Sequence, residues 1–250
     1  MTYTNERYWL TFNGEIYNFI EIREELKSLG CVFKSDTDSE VILAAYFKWG
    51  EKCQYKFNGD WAFAIWDNRS KSFFVARDAL GVKPLYYFID DSIFSFSSEI
   101  KALLKLIPKD QELDYESINR YLSFLWCPGK GTPLKSVHKL LPGEAIIVID
   151  GKINEKWLWY KLPIFRGAQG NLPKKDAISG TVDYLRQAVQ RQMVSDVPVG
   201  AFLSGGLDSS SIVTFAREVN PDIKCFSIQT EGKQDSGFVD DLPYARKVAK

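Results

Sequence analysis

The sequence predicts two folds in tandem: an α+β front of antiparallel sheets with helices, then the start of an α/β unit on a parallel sheet. Three observations carry this. In the front part, apolar or alternating runs come in pairs around short polar turns, as hairpins do. Residues 163–175 then bring Pro163, Gly167, Gly170, Asn171 and Pro173 with little periodicity, the composition of a linker. Beyond them the pattern becomes helix, strand, helix, strand, a βαβ order. The expected organisation is a front domain over 1–162, a linker over 163–175 and a second domain over 176–250.

Tyr8 to Phe12 is aromatic and β-prone, and Asn13-Gly14-Glu15 should break it. A helix is expected from Ile16 to Leu29, with Ile16, Phe19, Ile20, Leu26 and Leu29 on one face and Gly30 as its stop. Cys31 to Phe33 reads as a short strand. Thr37-Asp38-Ser39-Glu40 has capping-box spacing and opens a helix from Val41 to Trp49. Trp61–Trp66 with Phe73–Ala76, and Leu85–Ile89 with Ile93–Ser97, read as hairpins. Ser98 to Leu106 should be helical. Asp114 is a good N-cap for a helix carrying Ile118, Tyr121, Leu122 and Leu125. Ala145 to Ile149 starts a further hairpin closed by Asp150-Gly151. The second domain is expected as a helix over 176–194, a strand over 199–203, a helix over 207–219 and a strand over 223–228.

Composition bounds the function. The apolar fraction of 45% and charged fraction of 26% suit a folded globular chain. Lys+Arg and Asp+Glu balance at 32 each, so no overall field recruits nucleic acid or an anionic membrane. No apolar run approaches a membrane span or a signal peptide, and the four Cys have no metal-type spacing, so a reducing cytoplasm is expected. With one His, His138, expected at the surface or in a turn, Ser-His or multi-His chemistry has almost nothing to draw on.

The most informative stretch is Ser204-Gly205-Gly206-Leu207-Asp208-Ser209 between a buried strand and a helix. The Gly pair permits a tight turn, and the helix offers unpaired N–H groups and its positive dipole end to an anion. Ser204, Ser209 and Ser210 add hydroxyls. No Lys lies between Lys175 and Lys224, which excludes the common P-loop, and the dinucleotide Gly-x-Gly-x-x-Gly is absent. Asp208 beside a phosphate site is repulsive unless a divalent cation stands between, so Mg²⁺ is expected to bridge Asp208 and a pyrophosphate. The plainer alternative is a first-turn carboxylate favouring the helix dipole. Strand, loop and helix together resemble the pyrophosphate loop of ATP pyrophosphatases.

The front half sharpens this. Phe12-Asn-Gly-Glu-Ile-Tyr-Asn18, Ser35-Asp-Thr-Asp-Ser-Glu-Val-Ile42, Gly59-Asp-Trp-Ala-Phe-Ala-Ile-Trp-Asp67, Arg77-Asp78 to Tyr87 and Ser97 to Leu103 follow one another in an order that resembles the glutaminase domain of glutamine-dependent asparagine synthetases. Thr132 to Gly143 and Asp196 to Ser209 continue the resemblance. It implies an N-terminal-nucleophile-type glutaminase domain, followed by an ATP-pyrophosphatase domain. Glutamine would yield ammonia in the first; in the second, ATP would activate L-aspartate as β-aspartyl-AMP for attack by that ammonia.

The resemblance implies roles for single residues. Asn13, through its side-chain amide, and Gly14, through its N–H, would form the oxyanion hole. Asn13, Gly14, Glu15 and Asp38 would hold L-glutamine, the two carboxylates facing its α-ammonium. Ser204, Gly205, Gly206, Asp208 and Ser209 would hold the ATP phosphates, and Leu203 and Ile228 would line the adenine-ribose pocket. The Arg77–Tyr87 and Ser97–Leu103 blocks receive no catalytic role. A homodimer is an open option for the full-length enzyme.

Against the family pattern, Met1 falls one strand before Asn13, so the first segment, with the nucleophilic Cys that follows the family's initiator Met, is expected to be absent. Thr2 leads the wrong strand to replace it, and Cys31 occupies a packing position. At the other end the second Ser-Gly-Glu-Gly-type loop is expected to lie beyond Lys250. The expectation is therefore a fragment incomplete at both ends, inactive alone and prone to aggregate. Two other readings stay open: an amidotransferase acting on a sugar or peptide carboxylate, and a non-catalytic remnant that binds glutamine or nucleotide.

Overall fold

Alternation along one central strand explains the layering of the front of the chain. In Trp61-Ala-Phe-Ala-Ile65 the large side chains point to one face and the alanines to the other, and all five residues are buried. The computed structural model describes residues 1–91, 93–163, 172–228 and 241–249. The chain divides into two units, Met1–Ile164 and Phe165–Lys250.

The first unit runs β1 (Thr2–Tyr3), β2 (Tyr8–Ile16), α1 (Phe19–Ser28), α2 (Asp38–Trp49), a 3₁₀ turn (Gly50–Lys56), β3 (Gly59–Asp67), β4 (Ser72–Arg77), β5 (Tyr86–Ile89), β6 (Phe94–Ser97), α3 (Ile100–Leu103), α4 (Tyr115–Phe124), β7 (Val137–Lys139), β8 (Glu144–Ile149) and β9 (Lys152–Leu158). Strands β1-β2-β3-β4-β8-β9 form a six-stranded antiparallel sheet, and β6-β5-β7 a three-stranded one. Trp61, Phe63, Ile65 and Phe74 face α1 and α2 in one core with Leu26 and the run Val41–Ala45. Ala62, Ala64, Val75 and Ile146 face the small sheet, meeting Leu85 and Tyr87. Antiparallel sheets with helices are thus observed, as expected.

Buried polar groups tie the loops to this frame. The Asp78 carboxylate is 1% exposed and accepts from the N–H groups of Trp61, Leu80, Val82 and Lys83. Arg77 beside it donates to the carbonyls of Gly81, Lys83 and Leu140, and burial lowers its pKa. These bonds hold the loop between β4 and β5 together, pairing the N–H groups of Leu80, Val82 and Lys83 and the carbonyls of Gly81 and Lys83 where there is no regular secondary structure.

Several elements differ from expectation. Asn13-Gly14 does not turn: β2 continues to Ile16, which pairs opposite Gly59 and is fully buried, so α1 starts only at Phe19. Cys31–Phe33 is no strand; the chain there follows the end of α1 with Cys31 N–H bonded to the Leu26 carbonyl. The second helix starts at Asp38, with Thr37 as N-cap accepting from Glu40 N–H. The expected 98–106 helix shortens to α3. His138 lies in β7, half-buried against the Tyr87 ring, and burial lowers its pKa.

The second unit holds α5 (Lys174–Gln192), β10 (Gly200–Phe202), α6 (Leu207–Val219), β11 (Lys224–Phe226) and α7 (Leu242–Val248). Strands β10 and β11 are parallel. Leu203, Val213 and Ala245 form its buried cluster. Most of the expected linker, residues 164–171, lies outside the described residues.

Candidate functional site

Strand β2 presents the front candidates through its pairing pattern. Trp61 turns its N–H and carbonyl toward Asp78 on the β4 side. Antiparallel alternation then makes Asn13–Ala62 the hydrogen-bonded pair and sends the Gly14 N–H the other way, to the free side of β2. Two neighbours on that side confirm the direction: Leu10 N–H reaches the Met1 carbonyl at 2.9 Å and Ile16 N–H reaches Asp38 Oδ2 at 3.1 Å. Gly14 has φ +147, and a Cβ there would stand 2.2 Å from the Asp60 carbonyl oxygen. Only glycine fits.

The exposed Asn13 side chain opens into a cleft of ≈ 450 Å³ lined by Thr11, Ala62, Ala64, Phe96 and Ser98 among others. Its Nδ2 donates to Ser98 Oγ at 3.2 Å. Gly14, Glu15 and Asp38 do not line this cleft. They belong to an acidic end of β2, where Asp38, the first residue of α2, is tied to Ile16 and where Glu15 pairs opposite Asp60. Burial pushes the Asp38 carboxyl pKa up, and the Ile16 N–H bond works against that rise. The Tyr17 hydroxyl donates to Asp60 Oδ2 at 2.9 Å; burial and that carboxylate hold the phenol above its ordinary pKa. Half-buried Asp38 and exposed Glu15, two carboxylates beside a strand end, suit an ammonium.

The second unit carries the loop between β10 and α6. Leu203 is 2% exposed: its N–H bonds the Phe226 carbonyl at 2.8 Å, its carbonyl accepts from the Ser227 hydroxyl, and its side chain is buried against Val213 and Ala245. Gly205 has φ +79, and a Cβ there would meet the first turn of α7, 2.5 Å from Ala245 N. Ser204 Oγ and Ser209 Oγ lie 3.0 Å apart, and Gly206 N–H points to Ser204 Oγ at 3.4 Å. Ser210 N–H closes the first helical bond to the Gly206 carbonyl, so Leu207, Asp208 and Ser209 supply the helix's orphan N–H groups. The Ser210 hydroxyl is buried without a hydrogen-bond partner. Asp208 stands exposed in that first turn, and Ile228 is 82% exposed past the end of β11. These donors fit phosphate oxygens. Among the described residues no group of three His, Cys, Asp or Glu could hold a metal alone. A single carboxylate suits Mg²⁺ only in company with phosphate oxygens and water.

Known proteins match both units. A profile for the glutamine amidotransferase domain matches residues 1–159. The chain belongs to that family. A second profile, asparagine synthase, matches residues 181–250. Asparagine synthetase [glutamine-hydrolyzing] 1 of Bacillus subtilis is 41% identical over 251 residues, covering 100% of this chain and 38% of that protein. Putative asparagine synthetase [glutamine-hydrolyzing] 2 of Methanocaldococcus jannaschii is 38% identical, covering 96% of this chain and 45% of its own length. The chain therefore spans about two fifths of these curated relatives. Among solved structures, a B. subtilis glutamine phosphoribosylpyrophosphate amidotransferase complexed with ADP and GMP aligns over 95% of this chain and 50% of its own, with TM-score 0.45 and 17% identity.

Sequence reasoning missed Ser98, Asp60 and Tyr17. Tyr17 and Asp60 sit inside the Phe12–Asn18 and Gly59–Asp67 motifs but meet only through the β2–β3 register. Ser98 is 85 residues from Asn13 and is brought to it by the packing of the small sheet on the large one.

Proposed function

We propose that this chain is part of a glutamine-hydrolysing asparagine synthetase, converting ATP, L-aspartate and L-glutamine to L-asparagine, AMP, pyrophosphate and L-glutamate. The observation that carries the reading is the order of the two matches in one chain: glutamine amidotransferase over 1–159, asparagine synthase over 181–250. In the front unit, the Asn13 amide and Gly14 N–H stabilise the oxyanion formed at the substrate carboxamide. Glu15 and Asp38 take the α-ammonium. In the second unit, which opens a parallel ATP-pyrophosphatase sheet, the Ser204–Ser209 loop and the α6 N–H groups receive the ATP phosphates, and Leu203 and Ile228 flank the adenosine. Asp208 would supply one carboxylate to Mg²⁺, which neutralises phosphate charge when bound. The aspartate β-carboxylate attacks the α-phosphate to give β-aspartyl-AMP and pyrophosphate, and ammonia displaces AMP.

Among the described residues no helix is long and apolar enough to cross a membrane, and the four thiols are free. Both are compatible with a cytoplasmic enzyme. Calorimetric titration tests the reading. ATP with Mg²⁺ should bind the chain in a manner weakened about tenfold by Asp208→Asn, the scale of one lost charge-assisted contact. L-glutamine binding should weaken with Asp38→Asn. Absence of both binding events from folded protein contradicts it.

A further inference from the structure

We propose that Ser98 is a positioning residue that fixes the Asn13 amide for its work on a carboxamide substrate. This rests on the reading above that Asn13 is an oxyanion donor. A primary amide carries two N–H donors and one acceptor oxygen, and a surface asparagine is free to turn either end toward a ligand. With its oxygen forward it would repel a developing oxyanion. Electrostatic stabilisation of that oxyanion requires donors already aimed when charge develops. The 3.2 Å bond from Asn13 Nδ2 to Ser98 Oγ uses one N–H and leaves the other free for the cleft.

Ser98 is itself held on a firm frame. Ser97, the last residue of β6, pairs opposite Tyr86 of β5, and its hydroxyl accepts from Glu99 N–H at 3.2 Å. The Glu99 carbonyl then receives the N–H groups of Ala102 and Leu103, and the fully buried Leu103 anchors α3 among Phe88, Ile107 and Val137. Asn13 is fixed just as firmly by the β2–β3 register. The bond thus joins the end of the small sheet to the large one across the cleft that Asn13 faces. The Ser97–Leu103 block, without a catalytic role on sequence grounds, gains a function through one hydroxyl.

The test is the side-chain amide resonance pair of Asn13 in the ¹⁵N-labelled full chain. Ser98→Ala should shift it and speed its hydrogen exchange several-fold, while Ser98→Thr, which keeps the hydroxyl, restores the original signals. Backbone amides of Thr11 and Ala62 should stay in place in both variants, separating this effect from loss of fold. L-glutamine should move the Asn13 signals of the unsubstituted chain more than those of Ser98→Ala. Asn13 signals indifferent to Ser98→Ala overturn the proposal. Signals that answer to Ser98 but never to L-glutamine leave Ser98 the anchor of Asn13 and overturn the glutaminase reading instead.

Discussion

The two units bury their sheets to very different degrees. In the front unit both faces of the six-stranded sheet are covered, by α1 and α2 on one side and by the small sheet on the other, and Trp61, Phe63, Phe74 and Ile146 are all at most 1% exposed. In the second unit the described residues include a two-stranded parallel pair whose Phe202 is 75% exposed and Phe226 54% exposed, above a buried cluster of Leu203, Val213 and Ala245. Parallel strands are stable when helices cover both faces and further strands flank them. The front unit should therefore be the stable partner, and the loop that would hold ATP sits on the weaker one. Denaturant unfolding followed by amide exchange should show the second unit opening first.

The largest effect on that contrast should come from Asp78→Ala. It strands four N–H groups, one of them on the central strand β3, and should cost the front unit about 3 kcal/mol or more without moving the second. Leu203→Ala should cost the second unit about 2–4 kcal/mol, a large share of a small core, and leave the front transition unchanged. A shared loss in either variant, seen by domain-resolved exchange, would show that the units do not unfold separately.

A smaller effect separates charge from packing in the front unit. Glu40 is 5% exposed and accepts from Lys34 N–H, Ser35 N–H and the Ser35 hydroxyl. Burial alone would raise its pKa, but these bonds outweigh it and hold the carboxyl below the ordinary value of 4.5. Its stabilisation is therefore complete above that unfolded-state value and is lost as pH falls through the lower folded value. Glu40→Gln should cost about 1–2 kcal/mol at pH 7 and flatten the stability curve on the acid side.

The smallest effect is at Asp38, whose pKa burial raises above 3.8. An α-ammonium bound there should pull it back down. L-glutamine affinity should then fall as pH drops through the raised pKa of the free protein, and Asp38→Asn should remove that acid limb. A carbon-detected titration of the Asp38 carboxyl with and without L-glutamine reads both values.

Much of this was legible in the chain, for identifiable reasons. Helix α6 and the caps at Thr37 and Asp114 are local features, written by residues three or four apart, and α6 occurs over the expected residues 207–219. Strand β2 runs through the expected turn at Asn13-Gly14 because a turn propensity is local, while pairing with β3 forces the chain straight on to Ile16. Strands β1 and β7, of two and three residues, carry too short a pattern to read. The candidate loops could be read as motifs. Their meeting points could not: the Asn13–Ser98 bond and the Tyr17–Asp60 bond depend on how layers and strands register, which no spacing encodes.

Ligand-resolved hydrogen exchange on the intact chain tests the central claim most directly. The proposed function puts one substrate on each of two separate units, so each should leave its own footprint. The expected result is slower exchange at residues 13–16 with L-glutamine alone, and at residues 204–211 with ATP and Mg²⁺ alone. Protection of the front unit by ATP, or of neither region by either ligand in protein that is folded, would contradict the account.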